Sequence, residues 1–167
     1  MKYPQVILVG CVVVGALIGY FLAQMTPTHD PDKKTASILI LSCIDFRFAE
    51  TLGWYLTHQS RLHDDYDLFS LAGASLGALQ TDYPGWQSAF FDHIGLAIQL
   101  HDIKEIWVFD HMDCGMYKAT LKLEKDEDKS LHVKKLTELK TLLKSKYPQL
   151  GYRGHILELG GGVEVVV

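Results

Sequence analysis

Apolar residues follow two regimes along this chain. Residues 6–23 read VILVGCVVVGALIGYFLA, without a charge or a proline. A helix of about 18–20 such residues crosses the hydrocarbon core of a bilayer. It also lacks the polar face of a surface helix. A cleaved signal peptide is disfavoured, because Phe21-Leu22-Ala23 puts a large residue where the exit site wants a small one. A lipidated Cys11 is disfavoured too, because the apolar run before it is short and continues past it. The pattern therefore predicts a retained single-pass anchor over residues 1–23. Residues 24–36, QMTPTHDPDKKTA, form a linker and residues 37–167 the folded domain. Lys2 lies on one side of the anchor and Lys33 and Lys34 on the other, so positive charge does not decide orientation. The signal-like position of the segment favours an exported domain.

Beyond the linker, short apolar runs alternate with helical periodicity. Residues 37–42 (SILILS) suit a buried parallel strand. Residues 48–62 predict a helix, residues 67–71 a second strand running into Ala72-Gly73-Ala74, and residues 75–84 a loop. Residues 86–101 place Trp86, Phe90, Ile94, Ala97 and Ile98 at helical spacing. Residues 105–110 (EIWVFD) predict a third strand. The charge run at 124–130 is expected as a solvated loop. Residues 131–147 form an amphipathic helix with Leu136, Leu139 and Leu143 inward. Residues 154–159 predict a fourth strand, Gly160-Gly161-Gly162 a turn, and residues 163–167 an edge strand. Such alternation implies an α/β fold: a mostly parallel sheet with helices on both faces. Ligands then bind beyond the carboxyl ends of the strands, where Cys43, Gly73 and His111 fall.

Charge narrows the partners. The formal net charge is -4, and Lys2 is the single charged residue before Asp30, so the domain is more acidic still. That argues against a nucleic-acid backbone as partner. Besides Cys11 only Cys43 and Cys114 remain, too few for a disulfide framework, although one bridge between them is possible. Their surroundings favour a metal: Ser42-Cys43-Ile44-Asp45-Phe46-Arg47 and Asp110-His111-Met112-Asp113-Cys114-Gly115. Thiolate and imidazole suit zinc, and three protein ligands leave a fourth position open for water. A metal there lowers the pKa of its water to near neutrality. Taken singly each piece has a bland reading, Cys43 as a small core residue and Asp45 with Arg47 as a surface ion pair. Their convergence on neighbouring strand ends favours a site.

These two motifs, CIDFR and HMDCG, resemble the Cys-x-Asp-x-Arg and His-x-x-Cys pair of the β-carbonic anhydrases. The resemblance covers roughly residues 37–160. It implies zinc held by Cys43, His111 and Cys114. It implies a dyad in which Arg47 keeps Asp45 off the metal while Asp45 accepts a hydrogen bond from the zinc-bound hydroxide. It implies reversible hydration of carbon dioxide to bicarbonate, a substrate pocket that includes Gly73 and Gly115, and assembly as a homodimer or higher oligomer. The sequence departs from the family at Ser70-Leu71-Ala72-Gly73, where Arg-Asn-Ala-Gly is usual. Compact members of the family include carbonyl sulfide and carbon disulfide hydrolases, which is the second reading. A third is a catalytically weak, membrane-tethered zinc-binding domain. His93 and His101, eight apart on one helix, are expected as surface or buffering groups. His58, His63, His132 and His155 have no partner in the sequence.

Overall fold

The computed structural model describes residues 30–122 and 129–167. Lys34–Val167 form one compact unit; of the preceding unit, Met1–Lys33, only residues 30–33 are described. The expected anchor at 6–23 lies outside the described residues, as do residues 24–29 of the linker. Among the described residues no helix is long and apolar enough to cross a membrane.

Five strands form one sheet: β1 (Ile38–Ser42), β2 (Tyr66–Ser70), β3 (Glu105–His111), β4 (Gly151–Leu157) and β5 (Val163–Val165), in the order β2-β1-β3-β4-β5. The first four pair parallel; β5 closes one edge antiparallel to β4. β1 is buried along its whole length, which is why it reads as an unbroken apolar run. Its alternate residues face opposite layers. Leu39 and Leu41, with Ile106, Val108 and Ile156, pack under α3 (Pro84–His101) and α5 (Lys129–Lys146). Ile38 and Ile40, with Trp107 and Phe109, pack under α1 (Ala49–Trp54) through Leu52, and Phe48 and Leu56 join them.

Several elements differ from the sequence-based expectation. The helix expected over 48–62 is composite: a 3₁₀ turn at Phe46–Phe48, α1, then a π turn at Tyr55–Gln59. Residues 75–84 are not all loop. Ser75–Ala78 form a buried helical turn, α2, and Pro84 opens α3, where its missing N–H costs nothing. α2 exists because Gly73 (φ 77°) and Ala74 (φ 38°) turn the chain sharply after β2. A Cβ on Gly77 would stand 2.3 Å from the Ala72 carbonyl oxygen, so only glycine fits there. Helix α4 (Gly115–Leu121) follows Cys114 and had no periodic signal. Of the charge run at 124–130, Lys129 and Ser130 belong to α5; the rest lies outside the described residues.

The chain leaves β1 toward β2 on one side and reaches β3 on the other. The crevice between the ends of β1 and β3 is therefore the point where strand order reverses, the place such sheets reserve for ligands.

Candidate metal centre

β3 outruns β1 at this crevice. Ser42 pairs with Phe109, so β3 continues to His111 while the chain past Ser42 turns away through Cys43. Cys114 comes back to the same spot as the residue preceding α4. The ligand atoms of Cys43, His111 and Cys114 all lie within 4.8 Å of one another. Cys114 and His111 are buried and Cys43 is half-buried.

The three groups perturb one another. The Cys43 thiol is pulled down to about 4, chiefly by the hydrogen bond from Cys114, against burial and with help from His111 and the backbone N–H groups of Gly73 and Asp45. Cys114 moves up, because its proton is held by Cys43 and because it is buried. Burial alone would lower His111, yet the adjacent Cys43 sulfur, the Met112 carbonyl and Asp45 carry it above the ordinary imidazole value. His111 Nδ1 lies 2.9 Å from the Met112 carbonyl oxygen. A carbonyl only accepts, so Nδ1 carries a proton and Nε2 is the ring nitrogen that faces the sulfurs. Among the described residues Nε2, which is buried, meets no hydrogen-bond partner of good geometry. A buried imidazole nitrogen beside two sulfurs, one held as thiolate, is the donor set of a soft or borderline divalent cation, and zinc fits it.

Asp45 stands at the rim, its Oδ2 3.8 Å from His111 Nε2. Arg47 grips it. Nε donates to Oδ1 (3.0 Å) and Oδ2 (3.2 Å), Nη2 donates to Oδ2 (2.7 Å), and the Arg47 backbone N–H donates to Oδ1 (3.0 Å). The Arg47 side chain holds the Asp45 carboxyl below the usual range. The structure thus brings Asp45 and Arg47 together as an ion pair.

Two hollows flank this loop. A cavity of about 330 Å³ reaches His111 and Cys43 and is walled by Ile44, Phe46, Phe48, Leu52 and Leu68, with Ser42 and Ser70 at the strand ends. An open cleft of about 600 Å³ lies between Arg47, Asp113, Gly115, Met116 and Lys118. Gly115 lines this cleft. Gly73 lines neither hollow; its N–H donates to Cys43 Sγ at 3.2 Å, and a Cβ there would meet the Met116 side chain at 2.9 Å.

Sequence reasoning missed a buried polar cluster behind the ligands. Asp110 Oδ1 accepts from the Ser75 N–H (2.9 Å), and Oδ2 accepts from Ser75 Oγ (2.5 Å) and Tyr117 OH (2.7 Å). His132 Nδ1 lies 3.3 Å from the same oxygen. These residues tie α2, α4 and α5 to β3. The carboxylate of Asp110 directly after the apolar run 106–109 was the available signal. His132 thus has partners that its sequence position did not reveal, and His101 pairs with Asp67 at 2.8 Å.

Fold and site together define a class: an α/β domain with a Cys-His-Cys cluster that could hold a metal ion at its topological switch point and a carboxylate–guanidinium pair beside it. Residues 33–166 match the family described as "Putative carbonic anhydrase", and the chain belongs to that family. It is 33% identical over 147 residues to an uncharacterized protein of Rickettsia bellii (86% of this chain, 89% of the relative). It is 35% identical over 147 residues to one of Rickettsia conorii (86% and 78%). A solved structure of tetrameric β-carbonic anhydrases from Sordaria macrospora superposes with a TM-score of 0.52, at 15% identity and covering 97% of each chain, a likeness of fold.

Proposed function

We propose that this protein is a zinc enzyme that interconverts carbon dioxide and bicarbonate. The observation that carries the reading is the Cys43-His111-Cys114 cluster with Asp45 held 3.8 Å from His111 by Arg47. A structural zinc site has no use for that pair. Zinc held by these three residues would supply a hydroxide nucleophile near neutral pH. The chain's own contributions are clear. The His111 Nδ1–H to Met112 bond fixes the ring and its tautomer. Asp45, kept ionised by Arg47, is an acceptor that orients a protonated nucleophile. The apolar wall of Ile44, Phe46, Phe48 and Leu52 takes up an uncharged linear substrate and keeps water sparse.

The same wall supports a second reading, hydrolysis of carbonyl sulfide or carbon disulfide. Ser70 stands where the family usually has arginine, so among the described residues no Lys or Arg lines this side, which suits a less polar substrate. Zinc-loaded full-length protein assayed for oxygen-18 exchange between carbon dioxide and water, and in parallel on carbonyl sulfide, separates the readings. Exchange well above buffer that disappears in Cys43→Ser is the expected result. Background rates on both substrates with zinc bound would reduce the protein to a zinc-binding domain.

We also propose that residues 6–23 anchor the domain to a membrane with the domain on the exported side, and that the domain forms a homodimer or larger oligomer. The first rests on the uncharged apolar run. The second rests on the free edge of β2, where Leu68 is exposed beside Ile44 and Phe46, and on the tetrameric assembly described for the Sordaria enzymes. Carbonate extraction and light scattering test them; release of the full chain by carbonate, or a strict monomer, counts against each in turn.

A further inference from the structure

Arg47 serves two carboxylates. Asp45 takes its Nε edge and one side of Nη2. Asp113 takes the other side: Nη1 donates to Asp113 Oδ2 at 2.8 Å and Nη2 to the Asp113 carbonyl oxygen at 3.0 Å. The Arg47 side chain is 39% exposed, and a lone pair at such exposure holds its geometry weakly. A planar guanidinium bonded on two edges cannot rotate without breaking both sets of bonds.

Asp113 is itself immobilised. It immediately precedes Cys114, its backbone sits in the left-handed region (φ 60°), and Lys118, in α4, bonds its Oδ1. Each carboxylate oxygen therefore has its own cation, Lys118 on Oδ1 and Arg47 on Oδ2. The two cations hold the Asp113 carboxyl down at about 2, Lys118 contributing most. The ligand loop of β3 thereby fixes the arginine of the β1 loop, across 66 residues of sequence.

We propose that Asp113, pinned by Lys118, is a positioning residue that clamps Arg47 so that Arg47 retains Asp45 at the rim instead of releasing it onto the metal. This inference rests on the metal-site reading above. The alternative is that Asp113 and Lys118 merely stabilise the start of α4.

The test uses the full chain loaded with cobalt(II), whose visible spectrum reports its ligands, at one fixed pH. Asn tolerates a left-handed backbone, so Asp113→Asn preserves the turn. Asp113→Asn should keep one cobalt per chain but shift the spectrum toward that of Arg47→Ala, and Lys118→Met should shift it the same way by less. Added to Asp45→Asn, which has no carboxylate to release, Asp113→Asn should change nothing. A wild-type spectrum in Asp113→Asn overturns the proposal, as does an equal change in the Asp45→Asn background, which would mark a purely structural role. Should the wild-type chain take up no cobalt, the metal reading fails by itself. Solvent exchange of the Arg47 Nε–H, followed by NMR in the metal-free chain, then decides the clamp. Exchange about tenfold faster in Asp113→Asn, the equivalent of one lost charge-assisted hydrogen bond, supports it, and an unchanged rate overturns it.

Discussion

The imidazole of His155 lies flat on the ring of Phe109, centroids 4.2 Å apart and planes 9° from parallel. Both sit between the sheet and Tyr55. His155 is wholly buried, and among the described residues neither ring nitrogen meets a hydrogen-bond partner of good geometry. Burial pushes it from 6.5 down to about 4, so the folded state keeps it neutral. The unfolded chain takes up the proton first as pH falls. Stability from this residue is therefore complete above about 6.5 and declines as pH drops toward about 4. Urea midpoints across that window should fall with pH in the wild type. In His155→Phe, which keeps the stacking, the slope should flatten; an unchanged slope would mean that other groups cause it.

Zinc content tests the ligand set directly. Cys43→Ser and Cys114→Ser should purify with zinc reduced from one per chain to a small fraction, by elemental analysis, because each removes a thiolate from a three-ligand site. Full occupancy in both variants contradicts the assignment.

Asp45→Asn should behave differently. The residue touches the ligand cluster only across 3.8 Å, so zinc should stay while carbon dioxide hydration falls, by roughly 10–100-fold for a group that orients rather than binds. Oxygen-18 exchange alongside metal analysis separates the two effects. A wild-type rate would make the Asp45–Arg47 pair an ordinary surface bridge.

The cluster around Asp110 should carry stability. Ser75→Ala and Tyr117→Phe each remove a buried donor to the same oxygen, and each should cost about 1–3 kcal/mol in denaturant unfolding. Because Ser75 Oγ and Tyr117 OH also lie 3.0 Å apart, the double variant should not equal the sum. Strict additivity would show that the hydroxyls act independently.

Gly73→Ala should lower both stability and zinc affinity. The backbone there is left-handed (φ 77°), the new methyl meets Met116, and the N–H that steadies Cys43 is displaced. Competition with a chelator measures the second effect, and unaltered affinity would confine the role of Gly73 to the turn.

What the sequence by itself determined is the part governed by local pattern. The buried runs at β1 and β3 and the periodicity of α3 and α5 follow from which residues must leave water, and that requirement is written residue by residue. The strand ends then located Cys43 and His111, and three-residue spacing brought in Cys114. Tertiary structure alone decided the rest. α2 has four residues, too few to form by propensity; it is held by the turn at Gly73 and Ala74 and by the Asp110 carboxylate, 35 residues away. α4 likewise has little periodicity and is fixed by Tyr117 reaching Asp110. The reach of Arg47 to Asp113 belongs to the same class. A hydrogen bond across 66 residues leaves no trace in local hydrophobic pattern, because its geometry exists only once two loops are brought to one end of the sheet.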